Sequence, residues 1–302
     1  MITDPVTVQT PASTSNCGPG FDALGIALSL YNFVRIQAAE TAGSLYAGQD
    51  DMPAASVAMV EAARQAFFAE TEIEPHGLEF DIWGEVPIAR GLGSSATLRA
   101  GAVAALNHIH GSPLDREGLT SLVCKLDHSP DNSCPLIQGG FCIARIEPET
   151  GSYCYTLRHD VSDEIRFVVV SPEVEVLTSE ARDILPDQLP FADAVRSINS
   201  VATVVSIFAT RQYSLLHDAV TDYIHQPYRE KLNPFTHETV HAGREAGAYC
   251  GWLSGSGSSV LCLCPADTAD EVGNAMESIF SAQNIRTRLF KLEADNDGIR
   301  VV

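Results

Sequence analysis

The feature that most constrains this chain is the loop Gly91-Leu92-Gly93-Ser94-Ser95-Ala96, set between a strand-like run, Phe80 to Pro87, and an alanine-rich segment, Ala96 to His108. Strand, glycine-rich turn and helix in that order place unpaired backbone N–H groups and the positive end of a helix dipole at one point, which is how main chain holds phosphate. Gly91 and Gly93 allow close backbone approach, and Ser94 and Ser95 offer hydroxyls to phosphate oxygens or to Mg²⁺. The loop is neither a Walker A sequence, since no Gly-Lys-Ser/Thr follows, nor Gly-x-Gly-x-x-Gly. Taken alone it fits an ordinary glycine turn capped by serine as well as it fits a phosphate site.

The rest of the chain supplies context. Its 302 residues, 45% of them hydrophobic, suffice for two domains or one large fused one. The net charge of -20 disfavours nucleic acid and anionic membrane as partners, so an anionic substrate needs a local pocket of arginines or backbone amides. The eight cysteines show neither a Cys-x-x-Cys pair nor zinc-like spacing with histidine, and read as reduced, buried side chains. Met1 to Thr10 lacks a basic patch followed by an apolar run, and no stretch is read as approaching a membrane span, so a cytoplasmic protein is expected.

Along the chain, Val6 to Thr10 alternates as a strand before the turn-rich Pro11 to Gly20, Phe21 to Ala38 is of β type, and Ala55 to Phe68 has helical spacing. Helices are expected over Arg116 to Asp127, Phe191 to Phe208, Ser214 to Ile224 and Ala269 to Phe280. Strands are expected over Gly139 to Ile146, Ile165 to Val170, Ala248 to Leu253, Val260 to Cys264 and Arg286 to Leu292. The pattern is α+β or α/β, with a boundary near residues 155 to 165.

Pro87-Ile-Ala-Arg-Gly-Leu-Gly-Ser-Ser-Ala96 resembles the signature of the GHMP kinase superfamily. Further segments, in order, are similar to homoserine kinase motifs: Pro11 to Asp22, Pro130-Asp-Asn132 with Pro135 and Gly139-Gly140, Thr178 to Arg182, and His225-Gln-Pro-Tyr-Arg229. Leu253-Ser-Gly-Ser-Gly257 resembles the family's second glycine loop. The resemblance implies a two-domain GHMP kinase fold of α+β class: an N-terminal domain (1–160) with a left-handed βαβ unit, and a C-terminal domain (161–302) of helices on an antiparallel sheet. It also implies ATP-dependent phosphorylation of the hydroxyl of L-homoserine, a step toward threonine, with ATP and Mg²⁺ as cofactors. A homodimer is common in such enzymes.

Residue by residue, the resemblance assigns Pro87, Arg90, Gly91, Leu92, Gly93, Ser94, Ser95 and Ala96 to the nucleotide and Asn132 to the transferred phosphoryl group. Asn16, Asp22, Ser129, Asp131, Arg182, Arg229 and Gly255 fall to the substrate, and Ser94 with Asp127 to Mg²⁺. A zwitterionic substrate gives these types their logic: guanidinium forks for a carboxylate, a carboxylate for the ammonium. The chain departs from the family at Asp127-His128-Ser129-Pro130-Asp131-Asn132, where the family reads Glu-Gly-His-Pro-Asp-Asn, and at Val57-Ala-Met-Val60, where many relatives read Asn-Leu-Val. In an extended segment the one-residue shift would turn His128 to the opposite side from the substrate. Two alternatives stand beside this reading: a GHMP-type kinase of another small hydroxylated amino acid or acid, and an inactive metabolite or nucleotide sensor.

Overall fold

The computed structural model describes residues 2, 4–40, 43–48 and 52–302; the leader-free reading of the first ten residues therefore falls partly, at Met1 and Thr3, outside the described residues. In chain order the strands are β1 (Val6–Ser15), β2 (Leu24–Ala39), β3 (Ser44–Tyr46), β4 (Gly77–Gly84), β5 (Phe141–Ile146), β6 (Tyr153–His159), β7 (Ile165–Pro172), β8 (Cys250–Leu253), β9 (Val260–Pro265), β10 (Thr287–Leu292) and β11 (Arg300–Val301). The helices are α1 (Ala54–Thr71), α2 (Ser94–Ile109), α3 (Arg116–Asp127), α4 (Pro130–Gln138), α5 (Thr178–Asp183), α6 (Phe191–Thr210), α7 (Leu216–Ala219), α8 (Gln226–Arg229), α9 (Thr236–Glu245) and α10 (Ala269–Ser281).

The strands form two sheets. One runs β11-β1-β2-β4-β3, with β5 and β6 continuing from the early part of β2; the other is β10-β7-β9-β8 and wholly antiparallel. The long β2 serves two neighbours, giving Leu24–Ile26 to β5 and Asn32–Ala39 to β4. Strand β3, helix α1 and strand β4 make a βαβ unit whose two strands pair in parallel. The chain's last strand, β11, returns to the first sheet, pairing with Val8 and Gln9.

The turn-rich stretch from Pro11 is in fact half strand. β1 continues to Ser15, with the register against β2 shifting between Pro11 and Ala12. Proline lacks an N–H for the ladder and is accommodated at such irregularities. Consequently the true loop is short, Asn16 to Ala23, and it starts at the mouth of the first sheet.

Helix α2 is buried on most of its circumference because its alanines and Gly101 let neighbours close in; a Cβ at Gly101 would stand 2.5 Å from Val34 Cγ2. One core lies between the sheets, joining Ile26 and Leu28 of β2 to Phe167 of β7 and Leu261 of β9, with Phe208 of α6 stacked on Phe141 at 4.2 Å between ring centroids. Burying a phenylalanine of this kind contributes about 2 kcal/mol. Trp252 adds a polar tie across the sheets, its indole N–H donating to Thr14 Oγ1 at 3.0 Å.

The reading that no stretch approaches a membrane span is corrected at α6, whose 20 residues are long and apolar enough by length and composition. Its one buried flank (Ser197, Ser200, Val204, Ile207, Phe208) packs on the core, while Phe191, Val195 and Ile198 are exposed. Ser214 to Ile224, expected as one helix, breaks after α7 at Ala219, where Asp222 turns its carboxylate onto the N–H groups of Ile224, His225 and Gln226. An aspartate that binds backbone ahead of it starts a new helix rather than continuing the old one.

Candidate functional site

A cleft of about 710 Å³ lies along the loop before α2, the loop after β1 and the segment between β8 and β9. One end is apolar, lined by Met52, Pro53, Met59, Ile82, Trp83 and Leu98, and suits a planar base. At this end α1, the segment that departs from the family pattern, presents Ala55, Ser56 and Met59, while Val60 turns into the core.

The middle is the glycine-serine loop. Gly93 is the residue before α2, with φ 72°, and among the described residues no side chain caps the helix, so the first-turn amides of Ser94, Ser95 and Ala96 stay available for an anion. The cap is thus glycine and not serine. A Cβ at Gly91 would meet Ser254 O at 2.0 Å and one at Gly93 would meet Ser13 Oγ at 2.3 Å. Both glycines therefore answer to close packing as well as to positive φ. Ser254 Oγ donates to Gly91 O at 2.7 Å and Ser259 N to Arg90 O at 3.2 Å, which fastens the glycine-serine loop to the second glycine loop.

Not all of the expected loop residues face the cleft. Gly91, Gly93, Ser94, Ser95 and Arg90 line it; Pro87, Leu92 and Ala96 do not. Leu92 and Ala96 are buried, and the Leu92 carbonyl accepts from Ser13 N, so these apolar positions anchor the loop and leave the contact to backbone and hydroxyls.

At the far end Asn16, Asp22, Ser129, Asp131, Asn132, Arg182, Arg229 and Gly255 all line the cleft, gathered from five separate stretches of sequence. Asn16 and Asp22 hold left-handed backbone conformations (φ 68° and 56°), stabilised by the Asp22 N–H donating to Asn16 Oδ1 at 3.1 Å and by Asn16 Nδ2 donating to Gly255 O at 3.1 Å. Such strain in non-glycine residues persists only where the surroundings hold it, commonly at ligand sites. Arg182 forks onto Asp22 with bonds of 3.0 and 2.8 Å. The cation and the acceptor expected to act on opposite ends of a substrate thus hold each other.

Arg229 is 2% exposed. It donates to Ala181 O and Gly255 O at 3.0 Å each, and its Nη1 lies 3.3 Å from His225 Nδ1. Because a guanidinium only donates, His225 Nδ1 is the acceptor, and its Nε2 carries the proton given to Gly18 O at 2.9 Å. Burial holds His225 below the usual histidine range, and burial together with Arg182 lowers Arg229 to about 10, leaving it cationic at neutral pH. Phe21, to which no role fell from sequence, lies under both guanidinium groups, 5.7 Å from Arg182 and 5.3 Å from Arg229, and stacks on His225. Its signal was present in the sequence, one position before Asp22.

Helix α4 brings Asp131 and Asn132 in side by side. Asn132 Oδ1 accepts from Ser13 Oγ at 2.9 Å, and an added Cβ at Gly93 would come within 3.3 Å of the same oxygen, so Asn132 adjoins the glycine-serine loop. Ser129 opens α4 and faces the cleft. His128 is exposed and outside the cleft, though not for the reason expected: it ends α3 in a left-handed turn (φ 54°), and His128 and Ser129 form a bend between α3 and α4, not an extended segment.

Asp131 is buried, and its Oδ1 has no hydrogen-bond partner among the described residues. Burial and then the Asp22 charge raise its carboxyl to about 7, against the pull of Arg182. A folded-state pKa above the unfolded value means that the stability from this group is complete below about pH 4 and is lost as pH rises through 7. Asp131→Asn is accordingly expected to stabilise the protein at pH 8 by on the order of 2 kcal/mol, and by little at pH 4. Thermal melts at both pH values check this; an equal shift at both would remove Asp131 as the cause.

Asp127 does not stand free as a metal ligand. Its buried carboxylate accepts from Arg99 Nη1 at 2.5 Å and from Ser95 Oγ at 3.5 Å, and burial raises its pKa despite Arg99. Sequence reading missed this pair, whose members are 28 positions apart on different helices.

Two family descriptions match the chain, GHMP kinases N terminal domain over residues 57–140 and GHMP kinases C terminal over residues 204–282. The chain is 35% identical to a homoserine kinase of Caldicellulosiruptor bescii, covering 98% of this chain and 96% of that protein. It is also 35% identical to a homoserine kinase of Carboxydothermus hydrogenoformans, over 91% and 90% of the two chains. Among solved structures, homoserine kinase from Cytophaga hutchinsonii superposes with a TM-score of 0.90 at 26% identity, covering 100% of this chain and 98% of that one.

Proposed function

Since the chain belongs to the homoserine kinases of the GHMP kinase family, we propose that it transfers the γ-phosphoryl group of ATP to the side-chain hydroxyl of L-homoserine, giving O-phospho-L-homoserine and ADP. The observation that supports the substrate assignment is the gathering, at one end of the cleft, of both cations and carboxylates: Arg182 and Arg229 with Asp22 and Asp131. The unpartnered Asp131 Oδ1 suits an ammonium group, and the Arg229 Nη2 donors, unused by the bonds to Ala181, Gly255 and His225, suit a carboxylate. Eight free cysteines, seven of them buried, agree with a reducing cytoplasm.

In the reaction the hydroxyl oxygen bonds to the γ-phosphorus, the bond from that phosphorus to the ADP oxygen breaks, and the hydroxyl proton is released. Transfer of this kind depends mainly on alignment and on stabilising spread charge, not on a strong base. The α2 N-terminus and the loop amides hold the phosphates, Asn132 aligns the hydroxyl, and the two arginines fix the substrate's far end. A divalent cation bound with the nucleotide supplies charge neutralisation to the phosphates. Ser94 can join its ligands, but Asp127 fits it poorly, since the carboxylate already neutralises Arg99. Among the described residues no cluster of three or more His, Cys, Asp or Glu could hold such an ion by itself.

Asn132→Ala is expected to lower kcat by ~10²-fold with the KM for ATP nearly unchanged, because an aligning contact matters most in the transition state. Unchanged kcat would remove the role. The substrate assignment is tested by ADP release with L-homoserine, 4-hydroxybutyrate and 3-aminopropan-1-ol. Each analogue lacks one charge and is expected to fall at least ~10²-fold below homoserine in kcat/KM, from loss of a charge-assisted contact in a buried pocket. Equal use of either analogue would overturn recognition of both charges.

A further inference from the structure

Arg99 sits four residues after Ser95, on the same face of α2, and lines the cleft with Ser94, Ser95 and Asp127. Its side chain is 20% exposed, whereas that of Asp127 is 5% exposed. Among the described residues Arg99 makes one hydrogen bond, from Nη1 to Asp127 Oδ1. A guanidinium carries five N–H donors in a plane, so most of Arg99's donors are open to the cleft.

The other cleft arginines serve the substrate end or are held beside the loop. Arg182 is forked onto Asp22, Arg229 is bonded to backbone carbonyls, and Arg90 binds the Ile88 and Ala89 carbonyls and faces Glu175 at 3.6 Å. In a chain of net charge -20, a bound nucleoside triphosphate needs local positive charge. Arg99 is the cation on the phosphate-binding helix itself.

We propose that Arg99 binds the phosphates of the nucleotide, and that Asp127 serves as its buried counter-ion, steering the guanidinium instead of ligating a cation. Asp127 holds Arg99 and Ser95 through one oxygen, so the remaining N–H groups of the guanidinium are fixed beside the start of α2 as a preset donor set. Substrate anions bound by an arginine already held in place lose less side-chain entropy on binding than those bound by a free one.

The inference rests on the kinase reading and is tested by nucleotide binding, not turnover. Mant-ADP is titrated by fluorescence, in EDTA and in excess Mg²⁺, against the unaltered protein, Asp127→Asn and the double variant Arg99→Met with Asp127→Asn. The double variant leaves no unpaired buried charge, and thermal melts confirm that it folds. Metal-free affinity is expected to fall ~10-fold or more in the double variant, from loss of charge-assisted bonds, and to stay within ~3-fold in Asp127→Asn. The gain in affinity on adding Mg²⁺ is expected to survive Asp127→Asn. Metal-free binding by the double variant equal to that of the unaltered protein, or loss of the Mg²⁺ gain in Asp127→Asn, would overturn the proposal. Failure of the unaltered protein to bind mant-ADP under either condition would bring down the kinase reading as well.

Discussion

Arg229→Met is expected to lower kcat/KM for L-homoserine by ~10²- to 10³-fold, chiefly through KM, while the KM for ATP changes little. The size follows from burial. Truncating one partner of a buried, charge-assisted pair costs roughly 3 to 4 kcal/mol, and each ~1.4 kcal/mol is tenfold. Arg229 is buried over the Phe21 ring and tied to Ala181 O and Gly255 O, so its guanidinium is fixed before the substrate arrives. Arg229→Lys is not expected to rescue, since an ammonium cannot reproduce the fork. Because the same bonds brace α5 and the second glycine loop, thermal melting accompanies the kinetics. A folded Arg229→Met with homoserine kinetics within fivefold of the unaltered enzyme would remove the carboxylate clamp.

Gly93→Val is expected to abolish measurable nucleotide binding, a loss of ~10²-fold or more from overpacking and backbone strain combined. A Cβ there meets Ser13 Oγ at 2.3 Å on a backbone with φ 72°, and Ser13 in turn holds Asn132. The substitution therefore disturbs phosphate binding and hydroxyl alignment together. Gly111 provides the control: its φ is 78°, but an added Cβ there meets nothing within 4 Å. Gly111→Val carries the strain without the clash and should cost stability while leaving the mant-ADP affinity intact. If the two valine variants bind nucleotide alike, the loop is not the phosphate cradle.

The features legible in the sequence are those whose physics is local. The glycine-serine loop before α2 could be read because glycines, serines and the following alanine helix are contiguous, and the βαβ unit and antiparallel second sheet came with the resemblance those residues carry. Strand β6 escaped notice because Tyr153 to His159 is an edge strand with little burial to impose alternation. Helix α9 escaped because its face is polar, with Glu238, His241 and Arg244 among its ten residues. The extension of β1 through Pro11 was hidden by a residue that ordinarily marks a turn.

At the site, the residue set came largely from matching motifs, and all of it but Pro87, Leu92 and Ala96 lines one cleft. What could not be read was who holds whom. Asp22 and Arg182 are 160 positions apart, Asp127 and Arg99 sit on different helices, and Phe21 spreads beneath two arginines drawn from the second half of the chain. Pairings of that kind are set by the packing of the two sheets, for which no single stretch of sequence carries the signal. They matter because they decide which groups are free: Asp131, read simply as a substrate contact, keeps one carboxylate oxygen without a hydrogen bond among the described residues, whereas Asp127, read as a metal ligand, already pairs with Arg99.

The central claim is a reaction with a defined product, and ³¹P NMR of the protein incubated with ATP, Mg²⁺ and L-homoserine tests it most directly. The account predicts one new phosphomonoester signal, coupled to the methylene protons of homoserine and growing in step with ADP. Inorganic phosphate as the sole product, or ATP left intact over many hours by a protein that binds mant-ADP, would contradict it.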